Sequence, residues 1–241
     1  MTRADPYCGP APTLETVLMQ WNLDPLLLAV IAVAAVGVAR AASPRASVIV
    51  TGLALLAFVS PLCAATVSLL SARSLHHLLV ALVLAPALAM ALRGHALPRL
   101  PGAGAAGLGF AGVMVLWHWP PAYAAAWDSH AVYWVMQAGL LAAAALWWHR
   151  VIRDLHRPDA AMGAALAMAG ISGVMGLIGA GLTFAPRLLF SEHLSRAPLI
   201  GLDPLADQQL AGLVMWVPGA VPLGVAALVI LWRNLLEDSP A

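Results

Sequence analysis

Apolar positions in this chain come in long unbroken runs. They do not alternate, and they do not keep to one helical face. The runs cover about Pro25 to Ala39, Ala46 to Leu70, Leu75 to Leu92, Ala105 to Trp119, Ala131 to Val151, Ala160 to Phe184 and Gln208 to Trp232. A helix that is apolar all round needs an apolar surrounding on every side. At 1.5 Å per residue, about 20 such residues cross the hydrocarbon core of a bilayer. Backbone groups in hydrocarbon must be satisfied within the segment, which leaves helices or closed barrels, and runs without alternation select helices. The pattern therefore predicts an all-α fold, a polytopic membrane helix bundle with seven transmembrane helices. The first and fourth runs are the shortest.

Polar and proline residues punctuate the runs. Asn22 and Asp24 are cap candidates for the first, and Pro25 suits its first turn. Pro120-Pro121 should end the fourth, because the residue before a proline avoids helical angles. Pro218 and Pro222 should bend the seventh. Pro61 and Cys63 fall inside the second run and Pro86 inside the third. The sixth holds Gly163, Gly170, Gly173, Gly176, Gly179 and Gly181, which reads as close helix packing.

Composition agrees. Hydrophobic residues make up 62% of the 241 and charged residues 10%, with no lysine. A soluble domain is about a quarter charged. The runs fill nearly the whole length, so one membrane domain spans 25–233, between tails at 1–24 and 234–241. Residues 1–16 lack the basic start and apolar stretch of a signal peptide. The dispersed arginines do not resemble a nucleic-acid surface.

Arginine placement predicts orientation, since cytoplasmic loops carry the cationic excess. Arg40, Arg45, Arg93, Arg99, Arg150, Arg153, Arg157 and Arg233 lie on one side, and Arg3, Arg73, Arg187 and Arg196 on the other, eight against four. The amino terminus is then periplasmic and the carboxyl terminus cytoplasmic. Trp21, Trp117, Trp119, Trp127 and Trp134 fall near outer ends, and Trp147, Trp148 and Trp232 near inner ends. Both sets suit headgroup depth.

In that orientation the candidate chemistry gathers outside. His76 and His77 open the third span, His118 closes the fourth, His130 opens the fifth and His193 lies in the outer loop before the seventh. Cys63 should lie about 10 Å deep. Cys8 is in the outer tail, and Met114, Met136 and Met215 add thioethers. Imidazole, thiolate and thioether together favour copper, and the sulfur ligands favour Cu(I). His95, His149 and His156 read as interface residues. His130 and His193 read as water-accessible side chains, the methionines also read as core filler, and Cys63 also reads as a small buried hydrophobe. Cys8 and Cys63 have a disulfide as a further option, which the depth of Cys63 argues against. Asp207 reads as a cap for its own helix, or as a partner of Arg73 or of a metal-bound histidine. No nucleophile–base pair or paired-carboxylate site appears, so the chain does not read as an enzyme. Mid-span polar residues are too few for a transporter.

The stretch Asp207-Gln208-Gln209-Leu210-Ala211-Gly212-Leu213-Val214-Met215-Trp216-Val217-Pro218-Gly219 resembles the signature of CtaG-type multi-pass membrane cytochrome c oxidase assembly proteins. Ser71-Ala72-Arg73-Ser74-Leu75-His76-His77-Leu78-Leu79 with Ala85-Pro86, Trp117-His118-Trp119-Pro120 with Tyr123 and His130, and Thr183-Phe184-Ala185-Pro186 agree with it. The resemblance implies a bacterial inner-membrane assembly factor that supplies copper to a haem–copper oxidase on the outer side. Oxidase subunits, periplasmic copper chaperones and membrane lipid are its expected partners. Where that family opens its third span with His-x-x-x-His, this chain carries Arg73 and His77. The expected copper ligands are His76, His77 and His118, with Met114, Met215 or Cys63 as soft partners, and Arg73 and Asp207 orienting them. A haem-binding redox protein and a non-catalytic scaffold for subunit insertion are the alternatives.

Overall fold

The computed structural model describes residues 6–95, 101–155 and 157–237. Arg3, Arg99 and His156 lie outside them. Among the described residues there are helices and turns and no strand. Five helices are long and apolar enough to cross a membrane: Pro44–Ser68, Leu70–Ala91, His130–Asp154, Ala160–Phe184 and Pro204–Arg233. Two shorter apolar helices, Pro25–Ala41 and Ala103–Trp117, correspond to the two shortest runs of the sequence.

Caps and prolines start the helices. α1 (Pro25–Ala41) begins where the Asp24 carboxylate accepts from the Leu26 amide at 2.8 Å. Ser43 caps α2 (Pro44–Phe58) in the same way, accepting from the Ala46 amide. The second span is not one straight helix as expected. Ser60 precedes Pro61 and takes extended angles, because Pro61 bars it from the helical region. Its hydroxyl then caps α3 (Pro61–Ser68). Leu69 is also extended, and α4 (Leu70–Leu78) starts five residues earlier than the third run predicts. Arg73 thereby lies inside a helix.

The intrahelical prolines are absorbed by wide turns. A π-turn at Leu79–Leu84 leads from α4 into α5 (Ala85–Ala91), just before Pro86, and a second π-turn, Met215–Ala220, contains Pro218. A proline lacks the amide donor and its ring crowds the carbonyl four residues back, so widening the turn removes the conflict. α6 (Ala103–Trp117) ends before the paired prolines as expected. These prolines then start a short helix, α7 (Pro120–Asp128), which leads through extended Ser129 into α8 (His130–Asp154). α9 (Pro158–Phe184) is followed by a loop with two 3-10 turns, then α10 (Pro204–Val214) and α11 (Val221–Glu237).

α9 packs along α10, the second π-turn and α11, and α8 packs against α5 and α6. The principal helix neighbour of α1 is α2. The glycine reading of the sixth span holds at one crossing only. A Cβ on Gly179 would lie 2.8 Å from the Gly212 carbonyl, and a Cβ on Gly212 would overlap Thr183 Oγ1 and the Gly179 carbonyl. Gly163, Gly170, Gly173 and Gly181 face open space. Trp147, near the end of α8, is fully buried against Phe110.

Candidate functional site

Residues 6–24 fold back over one end of the bundle, where α3 stops and α4 and α10 start. The Ser68 hydroxyl donates to the Pro12 carbonyl, and the Leu14 amide donates to the Leu199 carbonyl. A disulfide joins Cys8 to Cys63, closing a loop of 55 residues. Cys63 is therefore not a free thiolate and does not serve as a soft metal ligand in this state. The break at Ser60-Pro61 lifts Cys63 onto the separate helix α3, within reach of the tail. That removes the depth argument against a disulfide.

Asp207 does something the sequence does not show. Its own helix α10 is capped by Asp203, which accepts from the Leu205 and Ala206 amides. Asp207 is fully buried and reaches across to α4 instead. Its carboxylate accepts from the Leu70 amide at 2.6 Å, from the Ser71 amide at 3.2 Å and from the Ser71 hydroxyl. The first amides of a helix lack intrahelical partners and carry partial positive charge. A buried carboxylate from a neighbouring helix satisfies them. Asp207 consequently pairs neither with Arg73 nor with a histidine.

One turn into α4 lies Arg73, which is 4% exposed. Its guanidinium carbon stands 5.8 Å from the Trp127 ring centre and 5.6 Å from that of Tyr133. Nη2 donates to the Thr66 carbonyl at 3.4 Å, while Nε and Nη1 have no hydrogen-bond partner. Aromatic faces thus replace the expected carboxylate partner.

His76 and His77 follow on the same helix, three and four residues on, so they share the Arg73 face. Both are buried. The Ala57 backbone interacts with the His76 ring without completing a hydrogen bond, and both its nitrogens are unpartnered. His77 Nε2 is also unpartnered. His118, just past the end of α6, meets His77 edge to face, with ring centres 5.8 Å apart. Its Nδ1 lies 2.7 Å from the Met114 carbonyl. That carbonyl only accepts, so Nδ1 carries the proton and Nε2 is left with its lone pair. The ring centres of His76 and His77 are 5.9 Å apart. Met114 and Met215 are buried in the apolar core. Among the described residues, no three of His, Cys, Asp and Glu converge on one metal position. The expected set therefore resolves into a histidine pair, His77–His118, with His76 beside it.

His193 is not the water-accessible residue expected. It is 1% exposed, with Nε2 2.8 Å from the Tyr123 hydroxyl and Nδ1 3.1 Å from the Ser68 carbonyl. Nδ1–H donates to Ser68, and Nε2 accepts from Tyr123. Burial pushes its pKa down to about 3, with Arg73 and Arg196 adding to the effect. Burial also raises the Tyr123 pKa. This cluster braces the loop against α3 and α7. It was legible only as scattered polar residues, since no spacing rule links positions 68, 123 and 193.

A family model described as cytochrome c oxidase caa3 assembly factor matches residues 26–236. Neither a curated protein nor a solved structure matches the chain.

Proposed function

The chain belongs to the caa3 cytochrome c oxidase assembly-factor family, and from that premise we propose that it carries Cu(I) to the oxidase as cargo. The observation that carries this reading is the edge-to-face contact of His77 with His118: one buried ring has an unpartnered Nε2, and the other has its proton held on Nδ1. Two neutral imidazoles suit a two-coordinate Cu(I), with metal–nitrogen bonds of about 2 Å. The Met114 carbonyl would fix the His118 ring, as an outer hydrogen bond does for metal-bound histidines. His76 would take up the ion during transfer. Arg73 on the same face disfavours a higher charge and keeps the hold weak, which suits a donor. The edge-to-face packing of the two rings leaves no slot for a porphyrin plane, which disfavours the haem reading.

In this reading all seven apolar helices cross the bacterial inner membrane. The end covered by residues 6–24 is periplasmic, and the protein is non-catalytic. The Cys8–Cys63 disulfide supports that side, because disulfides persist in oxidising compartments. Oxidase subunits would take copper from this rim, and periplasmic chaperones would supply it. The test is a competitive Cu(I) titration of purified protein against a chromophoric chelator. Wild type should hold one Cu(I) at least about tenfold more tightly than a His77→Ala/His118→Ala variant, the loss expected for about 1.4 kcal/mol. Equal affinity would reject the reading.

A further inference from the structure

We propose that the cleft between α1 and α8 is a binding site for a phospholipid with an ammonium headgroup. Two cavities lie along this cleft and share Leu27, Val30 and Trp134 in their walls. They are therefore parts of one groove. The part nearer the tail end is lined by Tyr7, Asp24 and His130, and the deeper part by apolar side chains of α1, α2 and α8. The groove exists because α1 leans on α2 and does not close against α8.

The deep part is lined almost wholly by apolar atoms. Gln137 is 1% exposed and contributes to the cavity wall, but its amide atoms are closed off from the cavity. Gln137 lies seven residues below His130 on α8, about 10 Å by helical rise. A headgroup layer is roughly 5–8 Å thick per leaflet. Gln137 thus marks the depth at which the acyl chains of a lipid run when its headgroup lies beside His130. The acyl chains would fill the apolar deep part.

Charge selects the headgroup. The Tyr7 hydroxyl donates to the Asp24 carboxylate at 2.5 Å and, with the Leu26 amide, holds the Asp24 pKa down. The carboxylate therefore stays ionised at neutral pH. The rings of Tyr7, His130 and Trp134 surround it, with Tyr7 5.0 Å from Trp134 and 5.6 Å from His130. A carboxylate beside aromatic faces attracts an ammonium group. No arginine lines the groove to receive an anionic headgroup.

The test uses the full chain in nanodiscs of phosphatidylethanolamine and phosphatidylglycerol in equal amounts with identical acyl chains, read by native mass spectrometry. Wild type should retain phosphatidylethanolamine over phosphatidylglycerol by about fivefold, the ratio a single exposed cation–ring contact supports. Asp24→Asn keeps a helix cap of equal quality and removes the charge. It should bring the ratio to about one while lipid is still retained. Ala34→Phe with Ala138→Phe fills the groove from both sides and should abolish retention. Adducts at the bulk ratio on wild type, an excess of phosphatidylglycerol, or a preference unchanged in Asp24→Asn would each overturn the proposal.

Discussion

The Asp207 carboxylate stands 2.6 Å from the backbone nitrogen of Leu70, so a residue of α10 caps the start of α4. This contact sets the position of the face that carries Arg73, His76 and His77. Asp207→Ala would leave the Leu70 and Ser71 amides and the Ser71 hydroxyl without an acceptor. The expected loss is about 2–4 kcal/mol, a lost cap plus buried groups left unpaired. Asp207→Asn keeps one acceptor oxygen and should lose about half as much. Thermal unfolding of the detergent-purified variants reads both. A wild-type melting curve for Asp207→Ala would refute the capping role.

The crossing of α9 and α10 depends on Gly179 and Gly212. A methyl group at Gly212 would overlap backbone atoms of α9, and backbone cannot rotate aside as a side chain can. Gly212→Ala should therefore cost at least the 1–3 kcal/mol typical of overpacking, in the range of about 3 kcal/mol. Gly173→Ala, with open space around its Cβ position, should stay within about 0.5 kcal/mol of wild type. Equal melting temperatures for the two variants would refute the close-packed crossing.

Much of this architecture was legible in the chain. Long apolar runs without alternation give the helices, because backbone groups in hydrocarbon must be satisfied within helices or closed barrels and a barrel strand would alternate. Pro25, Pro120 and Asp24 mark ends through local sterics and local hydrogen bonds, which sequence spacing does record. The unread parts are those in which distant residues settle local structure. Asp207 reads as a cap for its own helix until Asp203 is seen to fill that place. Cys63 reads as deep until the chain turns at Ser60-Pro61. The histidines His76, His77 and His118 were legible as a group, and their rings do adjoin. Met114 and Met215 were read both as soft ligands and as core filler, and sequence does not separate the two, since thioethers pack as readily as they ligate; both lie in the apolar core.

His193 makes stability fall with acid. Its pKa is about 3 in the folded chain against about 6.5 for an unperturbed histidine. Between those values the unfolded chain binds a proton that the native chain rejects. Stability therefore rises with pH across this window, is fully present above about pH 6.5, and is lost as pH falls towards 3. The slope is about 1.4 kcal/mol per pH unit, or roughly 2 kcal/mol between pH 6.5 and 5. His193→Gln removes the titrating ring, so its melting temperature should vary less from pH 7 to 5 than that of wild type. Parallel pH profiles for the two proteins would exclude this source of acid sensitivity.

The Cys8–Cys63 bond should decide whether the tail stays on the bundle. Besides the disulfide, the tail is held by the Ser68–Pro12, Leu14–Leu199, Asn22–Val59 and Asn22–Phe58 hydrogen bonds and by packing of Tyr7 on Tyr133. Closing 55 residues removes up to about 4 kcal/mol of loop entropy from the unfolded chain. Each neutral hydrogen bond contributes only about 1 kcal/mol net, so the covalent link is the largest single contribution. Reduction, or Cys8→Ser with Cys63→Ser, should expose residues 6–24 to limited proteolysis and lower the melting temperature, with the helical circular dichroism retained. Both thiols should resist maleimide before reduction and accept it afterwards. A tail cleaved equally fast in oxidised and reduced protein would show that the packing of Tyr7 and the hydrogen bonds suffice without the bond.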